Sequence, residues 1–189
     1  MPPARAAVLE VASTADVGRR RPFYGWVLVG TLSLTETVSY GILTYAFAVF
    51  LGPMERELGW SRTAATGAYS FALLVAGAAA IPAGRWVDRH GARGLMTAGS
   101  CAAASGVFAW SRVQSLPALY AVWTLIGLAM AAVLYEPAFA VIATWFVRGR
   151  SRALTVLTFA GGFASIVFVP LSAALVRSLG WRNALAALA

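Results

Sequence analysis

Two of the seven acidic side chains in this 189-residue sequence, Glu36 and Glu136, stand inside long apolar runs. An ionised carboxylate at the centre of a hydrocarbon layer costs about 2.5–3.5 kcal/mol on insertion scales, so it persists where it meets water, a partner or a proton. Glu36 does not stand alone. Ser33, Thr37, Tyr40 and Thr44 share its helical face at three- and four-residue steps, a polar stripe expected to look onto a water-filled path. Glu136 is preceded by Tyr135 and followed by Pro137. Proline removes one backbone donor and strains the carbonyl four residues earlier, that of Val133, so a kink is expected beside this acid. The chemistry on offer is proton binding. Each acid also has a structural reading, as a hydrogen bond or ion pair that holds helices together.

The elements that carry these groups are membrane-spanning helices. The hydrophobic fraction is 60%, the charged fraction 12% and the mean hydropathy +0.74, and a chain this short has too little interior to hide so much apolar surface from water. Five runs reach the ~20 residues needed to cross a bilayer: 23–52, 63–84, 94–111, 113–147 and 153–176. A sixth begins near Asn183 and stops at Ala189, six or seven residues in, which reads as a truncated helix.

All fifteen basic residues are arginines, and they give the chain its net charge of +8. They cluster between the apolar runs instead of lining one solvated face with interleaved aromatics, which speaks against nucleic acid as a partner. Arg5, Arg19, Arg20, Arg21, Arg85, Arg89, Arg93, Arg148, Arg150 and Arg152 fall on one side of the expected topology. Arg56, Arg62, Arg112, Arg177 and Arg182 fall on the other. That bias places the amino terminus in the cytoplasm. The seven tryptophans lie near proposed span ends, where an amphipathic indole favours the headgroup level. Residues 1–22 lack periodicity and are expected to be disordered or to lie on the membrane surface. They do not form a cleaved signal with Ala46-Phe47-Ala48, because the intervening apolar run is too long.

The most specific motif joins the second and third runs: Gly84-Arg85-Trp86-Val87-Asp88-Arg89-His90-Gly91-Ala92-Arg93. Gly91 suits the left-handed turn that ends a helix, and Gly84, with Gly77 and Ala80, suits close helix approach. Asp88 stands near the negative end of a helix, which implies a compensating partner. His90 reads as solvated.

Gly84, Asp88, Arg89, Gly91 and Arg93 in this topological place resemble the signature loop of the major facilitator superfamily. Tyr24-Gly25-Trp26, Phe50-Leu51-Gly52-Pro53, Glu57-Leu58-Gly59-Trp60-Ser61-Arg62, Tyr135-Glu136-Pro137, Trp145-Phe146 and Gly180-Trp181-Arg182 are similar to its bacterial branch related to monocarboxylate transporters and oxalate/formate antiporters. The resemblance implies an all-α, multi-pass fold: residues 23–189 would form the amino-terminal six-helix bundle, complete through helix five. It also implies a second bundle that supplies the partner of Asp88, a solute path lined by spans one and four, and therefore a place on that path for Glu36 and Glu136. Gly161-Gly162 and Pro170 in span five resemble packing and kink positions of the family, although the longer glycine-proline motif of some antiporters is missing.

The function expected is secondary transport of a small organic solute, such as a monocarboxylate or another organic acid, across the inner (plasma) membrane by alternating access, with an ion or proton coupled to it. The alternative is a half-protein that moves nothing without a second bundle. An enzyme would need a nucleophile–base pair or metal ligands, which one His, the single Cys101 and two separated Glu do not provide. The residues call for neither cofactor nor metal.

Overall fold

The computed structural model describes residues 24–189, and every regular element among them is helical. The expected tail, residues 1–22, lies outside the described residues. The first span runs from α1 (Tyr24–Tyr40) through one wide π turn (Gly41–Tyr45) into α2 (Ala46–Leu58). Then come α3 (Arg62–His90) and α4 (Ala92–Trp110). The fourth span is split into α5 (Leu116–Val133) and α6 (Tyr135–Trp145), the fifth into α7 (Arg150–Gly162) and α8 (Ala164–Leu179), and α9 (Trp181–Leu188) follows.

Local chemistry sets these boundaries. Ser61 caps α3 by accepting the Ala64 N–H at 3.2 Å, and Ser115 caps α5 by accepting the Ala118 N–H at 3.4 Å. At the far end of α3, Gly91 adopts φ +80°, a value that side-chain-bearing residues resist, and its N–H closes on the Val87 carbonyl at 2.9 Å.

Four spans among the described residues are long and apolar enough to cross a membrane: Tyr24–Leu58, Arg62–His90, Leu116–Trp145 and Arg150–Leu179. The third expected span forms the 19-residue α4 but is less apolar than these, since it carries Arg93 in its first turn and is diluted by Gly and Ser. Those small residues buy closeness. A Cβ at Gly99 would come within 2.6 Å of the Ala132 Cβ, and one at Gly106 within 2.8 Å of Ile126 Cγ1. Without a hydrophobic force between helices in lipid, such backbone approach is what holds a bundle together.

Small-residue packing on α3 uses a different face from the one expected. Gly77 and Gly84 have no neighbour within 4 Å of a built Cβ, whereas Ala65, Ala68 and Ala72 are fully buried, and Ala72 meets α5 at Gly127. There a Cβ would stand 2.5 Å from the Ala72 carbonyl oxygen. The faces that remain open carry large apolar groups, among them Leu74, Phe159 and Ile166, as expected of surfaces that meet lipid or another bundle.

Two apolar clusters fill the bundle. One gathers Phe47, Phe50, Met54, Trp110, Leu119, Trp123 and Trp181, and the other gathers Val29, Leu32, Ala138, Ile142, Phe146, Ala153 and Leu157. The tryptophans divide between two environments: Trp26, Trp86 and Trp145 are exposed, whereas Trp110, Trp123 and Trp181 are buried. The rings of Trp110 and Trp123 are held by aromatic neighbours, with centroids 5.0 Å apart for Trp110 and Trp123 and 5.0 Å for Phe47 and Trp123. The Trp110 N–H also donates to the Met54 sulfur at 3.1 Å. An indole near a span end satisfies either environment, and position along the helix does not reveal which way it faces.

A polar clasp closes the first cluster. Arg182 Nε donates to Glu57 at 2.9 Å, its Nη1 donates to the Ser111 carbonyl at 2.9 Å, and its guanidinium lies 4.3 Å over the Trp181 ring. The Trp181 N–H donates to the other Glu57 oxygen. Glu57 stands in the last turn of α2, where both of its carboxylate oxygens accept a hydrogen bond from α9. Replacing Arg182→Gln is expected to lower the stability of the detergent-purified chain by about 1 kcal/mol, since the pair is partly exposed and one carbonyl loses its donor. An unchanged thermal unfolding midpoint would show that the clasp contributes nothing.

Candidate functional site

The two apolar clusters leave a seam between them, and three spans cross it at irregular points. Along the first span, Leu32 belongs to one cluster and Leu43 to the other, with Ser33, Glu36, Thr37 and Tyr40 between. Along the fourth, Leu134 belongs to one and Ala138 to the other, with Tyr135 and Glu136 between. The backbone departs from α-helix in each: the π turn at Gly41–Tyr45, the break at Leu134 (φ −84°, ψ −165°) and the turn at Phe163. Irregular backbone at membrane depth is tolerated where it is buried in protein or lines water, and π turns recur at functional sites.

Glu36 is fully buried, and neither carboxyl oxygen has a hydrogen-bond partner among the described residues. Ser33 beside it is buried with its hydroxyl likewise unpartnered. Burying a bare carboxylate costs far more than burying one that holds a proton. Thr37 donates within the bundle, to the Ser33 carbonyl at 2.8 Å and the Ala160 carbonyl at 3.0 Å, tying the first span to α7. Tyr40 is half-buried with its ring 4.7 Å from that of Tyr135. Thr44 sits in the π turn beside Tyr69. In this bundle the stripe thus faces neighbouring helices rather than open water, because α6 and α7 pack across it.

The kink expected at Pro137 is a full break. Val133 ends α5, Leu134 is extended, and Tyr135 starts α6, so Pro137 falls in the first turn of a new helix, where its missing N–H has no intrahelical acceptor to lose. Glu136 stands in that same turn, at the positive end of the helix dipole. It is exposed on this bundle, on a helix that packs against the first span. Tyr135 stacks between Tyr40 and Phe139 and donates to the Thr158 carbonyl at 3.4 Å. Its hydroxyl occupies the space where any side chain at residue 161 would begin, so a larger residue there would displace the ring. Pro170 lies within α8, and the fifth span turns at Phe163 instead, just after Gly161-Gly162.

The signature loop lies at the end of the bundle where α1 begins. Asp88 is exposed in the last turn of α3 and forms no ion pair with a described residue. It lines two cavities. One, of about 770 Å³, also meets His90, Gly91, Arg93, Tyr24 and Trp145. The other, of about 60 Å³, joins Asp88 and Gly84 to Glu136, Pro137 and Ala140. Arg89 and Arg93 are exposed, and His90 is exposed with its ring 4.6 Å from that of Trp86. The sequence motif singled out Asp88 and Glu136 separately; only the packing of α3 against α6 shows them on one cavity.

Comparison with known proteins agrees with this architecture. The family model described as Major Facilitator Superfamily matches residues 32–189. The protein named "Oxalate:formate antiporter" of Oxalobacter formigenes is 26% identical over 136 residues, which is 72% of this chain and 32% of the antiporter. The chain therefore aligns with about a third of that relative's length. With its matched region spanning most of the sequence and its helices long and apolar enough to cross a bilayer several times, this multi-pass membrane chain belongs to the Major Facilitator Superfamily of transporters.

Proposed function

We propose that residues 23–189 form the amino-terminal bundle of a proton-coupled secondary transporter in the inner (plasma) membrane, with the amino terminus cytoplasmic. It moves a small organic solute by alternating access, one bundle rocking against a second around a site at mid-membrane. The observation that carries this reading is Glu36: a fully buried carboxyl without a partner, on the seam where three interrupted helices meet. Tyr40, Tyr135 and Glu136 are the groups of this bundle placed to meet solute. Gly84, Asp88, Arg89, Gly91 and Arg93 serve as the lock between the two bundles.

Organic acids are the solute class to test first, since the Oxalobacter formigenes relative is named an oxalate:formate antiporter. The described membrane-embedded seam holds two carboxyls and no cation, so the group that binds a carboxylate solute would come from the second bundle. In proteoliposomes carrying the complete transporter, an inward proton gradient is expected to drive accumulation of radiolabelled organic acids, and collapsing the gradient is expected to abolish it. Uptake that ignores the gradient would remove the coupling, and no uptake or counterflow of any solute would favour a half-protein that needs another partner.

A further inference from the structure

We propose a proton route to the cytoplasmic surface through this bundle, from Glu36 by way of Glu136 to Asp88; it rests on the transport reading above and adds a path to it. The juxtaposition is three carboxyls on helices that pack in succession: one fully buried on the first span, one at the break of the fourth span, and one at the loop end of α3. Between the last two lies the cavity of about 60 Å³ walled by Ala83, Gly84, Leu95, Ala131, Pro137 and Ala140. A single water needs roughly 10–15 Å³ of such space and two or more polar partners, so the cavity has room for a short water chain anchored on carboxylates at both ends.

The step balances as simple proton transfer. The protonated Glu36 carboxyl gives its proton to the Glu136 carboxylate, breaking one O–H bond and forming another. Glu136 passes it through water to Asp88, which releases it to the cytoplasm, and each carboxylate regains its charge. The ionisable groups around this line are Tyr40 and Tyr45 on the first span, Tyr135 on α6, and His90 and Arg93 beside Asp88. Arg93 and His90 line the larger cavity together with Asp88, at the end where the route opens. The break at Leu134 has a use in this scheme, since it places Glu136 at the start of α6 with α3 alongside.

The test fills the cavity without touching a carboxyl. In the complete transporter, Ala140→Leu is expected to abolish proton-driven accumulation while solute counterflow, which needs no net proton movement, continues. Ala140→Ser, which leaves the space open, is expected to keep both. Undiminished proton-driven accumulation in Ala140→Leu overturns the route, and so does equal loss of accumulation and counterflow, which would mark Ala140 as a packing position. Failure of the underlying transport reading looks different, because the unmodified protein would then show no counterflow.

Discussion

Glu36→Gln is expected to reduce proton-driven accumulation in the complete transporter to its gradient-free level, with membrane insertion intact. A one-unit proton gradient supports roughly tenfold accumulation when one proton moves with each solute, because one pH unit is worth about 1.4 kcal/mol. Glutamine keeps the shape and removes the exchangeable carboxyl proton, so that tenfold ratio should fall to unity. The buried position makes the effect large: no other described side chain on the seam is a carboxyl with both oxygens unpartnered and shielded from solvent. The measurement is accumulation at fixed external pH against internal pH, alongside the amount of protein in the membrane. A variant that accumulates solute like the parent would leave Glu36 with a structural role, and coupling would have to be sought in Glu136 or outside this bundle.

The seam itself was largely legible from residue type, and the reason is cost. A carboxylate in an apolar run is expensive enough that its position alone singles it out, and the stripe of Ser33, Thr37 and Tyr40 follows from helix periodicity. Pro137 marked the weak point of the fourth span for the same kind of reason, although one proline could not distinguish a bend from the break found at Leu134. What stayed hidden depends on which elements pack together. Nothing local says that Trp110 and Trp123 turn inward, since a tryptophan near a helix end is satisfied by lipid headgroups or by Phe47 and Met54 alike. The open face of Gly77 and Gly84 and the closed face at Gly127 are equally small in sequence, and only the contact with Ala72 separates them. The clasp at Glu57, Ser111 and Arg182 joins residues more than a hundred positions apart in part, so its members read as three unrelated polar groups.

The meeting of Tyr135 with Gly161 gives the seam its second strong test. The tyrosine hydroxyl fills the volume a side chain at 161 would need, so Gly161→Ala must push the ring away from Tyr40 or part α6 from α7. Overpacking of this kind costs about 1–3 kcal/mol, and loss of the Tyr40 contact should lower transport at the same time. Tyr135→Phe removes the obstructing oxygen and with it a long hydrogen bond of 3.4 Å to the Thr158 carbonyl, so alone it should cost about 1 kcal/mol or less. In the double variant the nearest remaining ring atom, Cζ, stands 3.0 Å from the new methyl group, a gap that a small shift of the ring can open. The two substitutions should therefore be less damaging together than the sum of each alone, with a coupling of about 0.5–3 kcal/mol measured by thermal unfolding in detergent. Additive costs would mean that the hydroxyl does not sit on residue 161, and the packing of the fourth span against the fifth would have to be redrawn.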